Sequence, residues 1–248
     1  MHNLISKYFD WPKAIIVALA LATSATSFVS AQTATATKTT VGTTKDWGKV
    51  DGVSIVGLVQ GPSAAVADLQ IACVFEYTEG DIFNPPALPT EVNGMVHLDK
   101  ALKGIITDVR KSGQFKGHAL ETLLIAPPNG SLSSKKLLLI GLGNRNSFDA
   151  ELMREVGSVA MREALKLKVK TVSFASDLKD AGVDSPTALV AENVVLGAFD
   201  AYRSQTYLDK NHFSEKLTLQ KLILLAGPSF FTVAGNGIKE AITKLNTK

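Results

Sequence analysis

The sequence predicts an α/β fold of three layers, a mixed sheet with helices on both faces. Three observations carry that expectation. Lys136-Leu137-Leu138-Leu139-Ile140-Gly141 is a short apolar run stopped by glycine, the pattern of a strand buried on both faces. The residues from Asp149 onward then take up helical spacing. Strand-like and helix-like stretches alternate from residue 98 to residue 245, the order that builds a parallel or mixed sheet.

Composition sets the frame. The chain has 248 residues, 46% hydrophobic and 20% charged, enough for one sizeable domain, which the pattern sets at residues 49–248. The net charge of +3 is small. The basic residues are scattered, and the densest run, Lys166, Lys168 and Lys170, reads as a solvated edge. Nucleic acid is therefore not an expected partner. Cys73 is the one cysteine; its neighbours Ile71, Ala72, Val74 and Phe75 make it a small buried hydrophobe.

Residues 1–31 read as a cleaved signal peptide. Lys7 and Lys13 flank the start, residues 14–22 are unbroken apolar sequence, and Val29-Ser30-Ala31 is a small-x-small site. Cleavage is expected after Ala31, leaving 24 basic against 22 acidic residues and no membrane anchor, so the mature chain is expected to be periplasmic or secreted. Residues 32–48, rich in Thr and Ala at their start, read as a disordered spacer.

The elements follow in order. Residues 53–59 and 69–77 are β-rich runs around the turn Gly61-Pro62-Ser63, and residues 81–96 carry three prolines and read as loop. Leu98, Leu102, Ile105, Ile106 and Val109 follow i, i+4, i+7, i+8, i+11 spacing, which predicts one amphipathic helix ending near Gly113. Strands are expected at 121–126, 136–142, 171–175 and 217–226, the second of these as a central strand. Helices are expected from an Asp149 N-cap, from a Ser185 cap with Pro186 at the first position running to Tyr202, and over 229–245.

Candidate chemistry centres on the glycine turn. Gly141-Leu142-Gly143-Asn144-Arg145-Asn146 has the first two glycines of a dinucleotide fingerprint, but Asn146 stands in place of the third. No acidic residue ends the next strand at the required distance, so no nicotinamide cofactor is expected. Gly141, Gly143, Asn144, Arg145 and Asn146 remain a candidate anion or ADP-ribose-type site; the plainer reading is a tight strand-to-helix turn. His97, His118 and His212 lie far apart, and no metal-ligand or nucleophile motif stands out, so no metal, no cofactor and no catalytic residue is assigned. Glu76, Glu79 and Asp81 read as a solvated acidic rim.

The segments together resemble a known family. Gly113-Gln114-Phe115-Lys116-Gly117-His118-Ala119-Leu120-Glu121-Thr122-Leu123-Leu124 is similar to the "G-x-F-x-G-K-x-G-E-x-L-L" stretch of the leucine (cytosol) aminopeptidases. Leu137-Leu138-Leu139-Ile140-Gly141-Leu142-Gly143 resembles their "V-L-L-V-G-L-G", and Leu196-Gly197-Ala198-Phe199-Asp200-Ala201-Tyr202 their "G-L-x-L-G-x-Y" helix. His118 stands where that family has Lys, and Ala119 at a position read as its Gly. The resemblance covers the family's N-terminal domain and implies a macro-domain-like sheet. The catalytic half, with its two metals and "N-T-D-A-E-G-R-L" signature, has no counterpart in the sequence. The expectation is thus a non-catalytic protein that binds a partner, either itself or a full-length aminopeptidase. The alternative is a macro-type binder of phosphate-bearing small molecules. The family label alone would make it a metal-dependent leucyl aminopeptidase.

Overall fold

The computed structural model describes residues 38–247. Seven strands form one sheet: β1 (Thr44–Val50), β2 (Val53–Leu58), β3 (Leu69–Val74), β4 (Thr122–Ile125), β5 (Lys136–Gly141), β6 (Thr171–Ala175) and β7 (Lys221–Leu225). Their order is β1-β2-β7-β6-β3-β5-β4. The five inner strands are parallel, while β1 and β4 run antiparallel at the two edges. Five helices complete it: α1 (Gly94–Ala101), α2 (Ile105–Lys111), α3 (Leu152–Lys166), α4 (Thr187–Lys210) and α5 (Phe231–Asn246). None of them is long and apolar enough to cross a membrane.

The three layers follow from alternation along the strands. Ile71, Cys73, Leu138 and Ile140 point into a core shared with α3, α4 and α5. Their neighbours Ala72, Val74, Leu137 and Leu139 point the other way, against Met95, Leu98, Leu102 and Ile106 of the α1–α2 layer. A strand buried on both faces cannot spare polar positions, which is why β5 reads as a continuous apolar run. Each such leucine removed from water stabilises the fold by about 2 kcal/mol.

Several boundaries differ from the sequence expectation. Residues 44–48, assigned to a spacer, are the start of β1. The helix expected over 98–113 is two helices, broken at Lys103-Gly104, where Lys103 has φ 59° and Gly104 φ 85°. The Asp99 carboxylate accepts from the Ile106 and Thr107 N–H groups at 2.9 and 3.2 Å and so caps the second helix. β5 is not central: it lies next to the β4 edge, and β6 holds the middle of the sheet. Asp149 does not cap α3 directly; it accepts from the Glu151 N–H, and Glu151 is the cap residue. Pro186, not Ser185, occupies the cap of α4, and that helix runs on past Tyr202 to Lys210.

Candidate functional site

Strand connectivity marks where a ligand site belongs. From β3 the chain crosses past β5 to the edge strand β4 on one side; from β6 it crosses to β7 on the other. Adjacent parallel strands whose connections part in this way leave a crevice beyond their carboxyl ends. A small cavity of about 50 Å³ lies there, lined by Cys73, Val74, Phe75, Asp177 and Asp180, and beside it, over β2, β7 and β6, opens a cleft of about 460 Å³. That volume suits a small-molecule site. Gln60-Gly61-Pro62 after β2 and Ser176 to Asp180 after β6 flank Ala226-Gly227-Pro228-Ser229-Phe230 after the intervening β7, and Gly94 and His97 of α1 complete the lining.

Three helix N-termini reach this cleft, and they differ. The Gly94 N–H at the start of α1 donates to Asp180 Oδ2 at 3.0 Å, so that terminus already holds a carboxylate. The starts of α4 and α5 have no side-chain cap, and residues at both, Thr187 and Phe230, line the cleft. Their free N–H groups and dipoles favour an anion. Lys179 adds a cation at the same mouth. Its Nζ donates to Asp184 Oδ1 and the Ser185 carbonyl at 2.9 and 3.0 Å, and lies 5.5 Å from the centre of the Phe230 ring.

Two carboxyls line both cavities. Asp177 is 9% exposed, adopts φ 55°, and accepts from the Cys73 N–H at 2.9 Å. Burial pushes it well above the usual carboxylate range, and the neighbouring Asp180 adds to the rise. Asp180 is pushed up to about 6, again by burial, against the pull of the Gly94 and Met95 N–H groups and His97. Burial likewise raises the Cys73 thiol, which keeps it protonated and inert.

The glycine turn lies elsewhere. A Cβ on Gly141 would sit 2.0 Å from the His118 carbonyl oxygen, and the Gly143 N–H donates to the Gly117 carbonyl at 2.9 Å. Both glycines thus let two backbone segments touch. The Asn144 side chain accepts from the Asn146 N–H at 2.9 Å within a short 3-10 turn, Arg145–Ser147, that separates the glycines from α3. Of the five candidate residues, Arg145 lines the small cavity of about 50 Å³, together with Glu76, Arg110, Asp177 and Asp180. The motif glycine set at Ala119 falls on Leu120, which takes φ 63°, the conformation that residue type favours.

The acidic rim also needs correction. Asp81 is not solvated: its carboxylate accepts from Arg110 Nε and Nη2 at 2.5 and 2.6 Å, and the two side chains are 7% and 1% exposed. Arg110 also donates to the Phe75 carbonyl at 2.7 Å, while its Nη1 has no partner. Glu76 meets His118 Nδ1 at 2.8 Å, and His97 and His212 are exposed. Among the described residues no group of three or more His, Cys, Asp or Glu is arranged to hold a metal ion.

Comparison with known proteins agrees with this architecture. The model of the cytosol aminopeptidase family, N-terminal domain, matches residues 79–206, just over half of the chain. The chain belongs to that family. Its aminopeptidase N-terminal domain is 32% identical over 141 residues to a "probable cytosol aminopeptidase" of Roseiflexus castenholzii, covering 56% of this chain and 28% of that protein. A namesake from Thermosynechococcus vestitus is 31% identical over 140 residues, covering 56% and 26%. The chain thus spans little more than a quarter of the length of these relatives. Among solved structures, a tomato leucine aminopeptidase variant superposes with TM-score 0.58 at 19% identity, over 80% of this chain and 37% of that one. An Oceanobacillus iheyensis macrodomain variant gives TM-score 0.52 at 12% identity, over 82% and 99%. At such identities the likeness is one of fold.

The family match begins at residue 79, so the β2 wall of the cleft lies outside it, as does the β7 wall beyond residue 206. Sequence reading missed Asp177, Asp180, Lys179 and the α5 start. The available signal was the paired Gly-Pro-Ser, at Gly61-Pro62-Ser63 and Gly227-Pro228-Ser229, each following a parallel strand.

Proposed function

We propose that this aminopeptidase N-terminal domain is a binding module whose cleft takes a small anionic, phosphate-bearing molecule. One observation carries the reading: two uncapped helix N-termini open into the same cleft, while the third to reach it is occupied by a carboxylate of the chain. Phe230 and the apolar lining around Val190 and Leu224 suit an organic moiety beside the charged group. The peptidase activity of the relatives does not extend to the domain on this reading. Robust metal-dependent hydrolysis of leucine p-nitroanilide by the purified chain would reverse it.

Titration calorimetry with ADP-ribose tests the site. A Cβ on Gly227 meets nothing closer than 3.7 Å, so Gly227→Glu is accommodated and places a carboxylate at the start of α5. ADP-ribose is expected to bind the wild-type chain, and Gly227→Glu to weaken it about tenfold or more, the scale of one opposed charge at short range. Arg145→Ala separates the two cavities: unchanged binding assigns the ligand to the large cleft, and lost binding to the small cavity beside the glycine turn.

Assembly with a second copy or with a full-length aminopeptidase is the second reading. It is favoured by the free outer edge of β4, where Leu124 is 43% exposed. Sedimentation of the pure chain as a monomer, with no complex on adding such an aminopeptidase, would sink it. The leader, which lies outside the described residues, supports an exported protein; a mature N-terminus other than Gln32 would argue against the cleavage site.

A further inference from the structure

Asp180 stands where the large cleft and the small cavity meet, and it lines both, as does Asp177. Resting on the reading of the cleft as an anion site, we propose that Asp180 is its specificity-determining residue: a proton on this carboxyl admits an anionic ligand, and loss of that proton excludes it. The geometry keeps the carboxyl in place. Its Oδ2 is tied to the Gly94 N–H at 3.0 Å, and its carbonyl accepts from Asn93 Nδ2 at 3.3 Å, a side chain that also donates to the Leu88 and Ile82 carbonyls. These contacts hold the Asp180 carboxyl at the boundary between the two cavities.

The surrounding charges leave Asp180 as the variable one. On its own loop, burial pushes Asp177 well above the usual carboxylate range and its side chain hydrogen-bonds that of Asp180, while Lys179 is engaged with Asp184 and the Ser185 carbonyl. His97 of α1 acts on it from across the cleft lining, where Glu91 also stands. Across the small cavity Arg110 is neutralised by Asp81, Glu76 is paired with His118, and Arg145 donates to the Ala181 carbonyl. Burial sets the Asp180 carboxyl to exchange its proton at about pH 6. Because the raised value favours the neutral form, the proton is held below that point and lost above it.

Binding of ADP-ribose, whose pyrophosphate charge is fixed across this range, gives the test on the full chain. With a midpoint of about 6, the neutral fraction falls roughly twentyfold between pH 5.5 and pH 7.5. Wild-type affinity is expected to weaken by about that factor where the neutral acid is required. Asp180→Asn is expected to bind equally at both pH values, and His97→Gln to keep the dependence. Without ligand, the Gly94 amide resonance should titrate with a midpoint near 6 in wild type and stay flat in Asp180→Asn. ADP-ribose that binds at neither pH sinks the anion-site reading and the proposal with it. Equal wild-type binding at both pH values, dependence that survives Asp180→Asn or vanishes in His97→Gln, or a Gly94 amide that does not titrate sinks the proposal alone.

Discussion

At the scale of single residues, the largest forces are held by groups whose surroundings only the fold supplies. Arg110 and Asp81 form a paired, two-pronged ion contact from which water is nearly absent. Removing one partner of such a pair leaves a bare charge in a low-dielectric site, which costs far more than the pair itself contributes. Asp81→Ala is expected to destabilise the domain by about 3–5 kcal/mol, and Asp81→Ala with Arg110→Met to recover most of it; urea midpoints of the three chains check this. Asp81 looks like a solvated acid in the sequence because Glu76 and Glu79 are near it and its partner is on α2. Asp68 is a milder case. Lys135 first, then the Lys170 and Thr171 N–H groups, hold its carboxyl down to about 2, tying the starts of β3 and β6 together. Cys73 was legible, because a small apolar residue among apolar neighbours needs no partner to explain it.

At the scale of elements, periodicity located nearly every strand and helix and misjudged the places where it is silent. The break between α1 and α2 preserves the apolar spacing, since Leu98, Leu102 and Ile106 stay on one face through it. Only Gly104 and the capping Asp99 mark the break. β1 was hidden for the opposite reason: most of its residues face solvent, and its apolar anchors are two, the buried Val50 and the half-buried Trp47, whose ring lies 5.8 Å from that of Phe231. The helix layer shows what glycine does inside elements. A Cβ on Gly157 would sit 2.3 Å from the Val194 carbonyl oxygen, and one on Gly197 would sit 1.7 Å from that of Arg154. α3 and α4 thus meet backbone to backbone, with Ser158 Oγ donating to the Gly197 carbonyl at 2.8 Å. Gly197→Ala must push the helices apart and is expected to cost about 2–3 kcal/mol, against a gain of under 1 kcal/mol from helix propensity. The thermal midpoint reads the difference.

At the scale of the whole molecule, fold and family were legible, and the cleft was not. Its walls come from three loops spread between residue 60 and residue 230, joined only by strand order. A glycine-rich turn attracts notice as a string, whereas Asp180 and Phe230 acquire a role only once β7 lies between β2 and β6. That same order has a consequence for biosynthesis. The last strand to be made fills the gap between the second and the sixth, so a chain emerging from the ribosome holds an unfilled slot until residues 221–225 are out. Up to that point the β1–β2 hairpin lacks its neighbour in the sheet, and α5 is not yet present to cover it. A nascent chain arrested before Lys221 is expected to lose the segment 44–58 rapidly to limited proteolysis, and one arrested after α5 has cleared the exit tunnel to keep it.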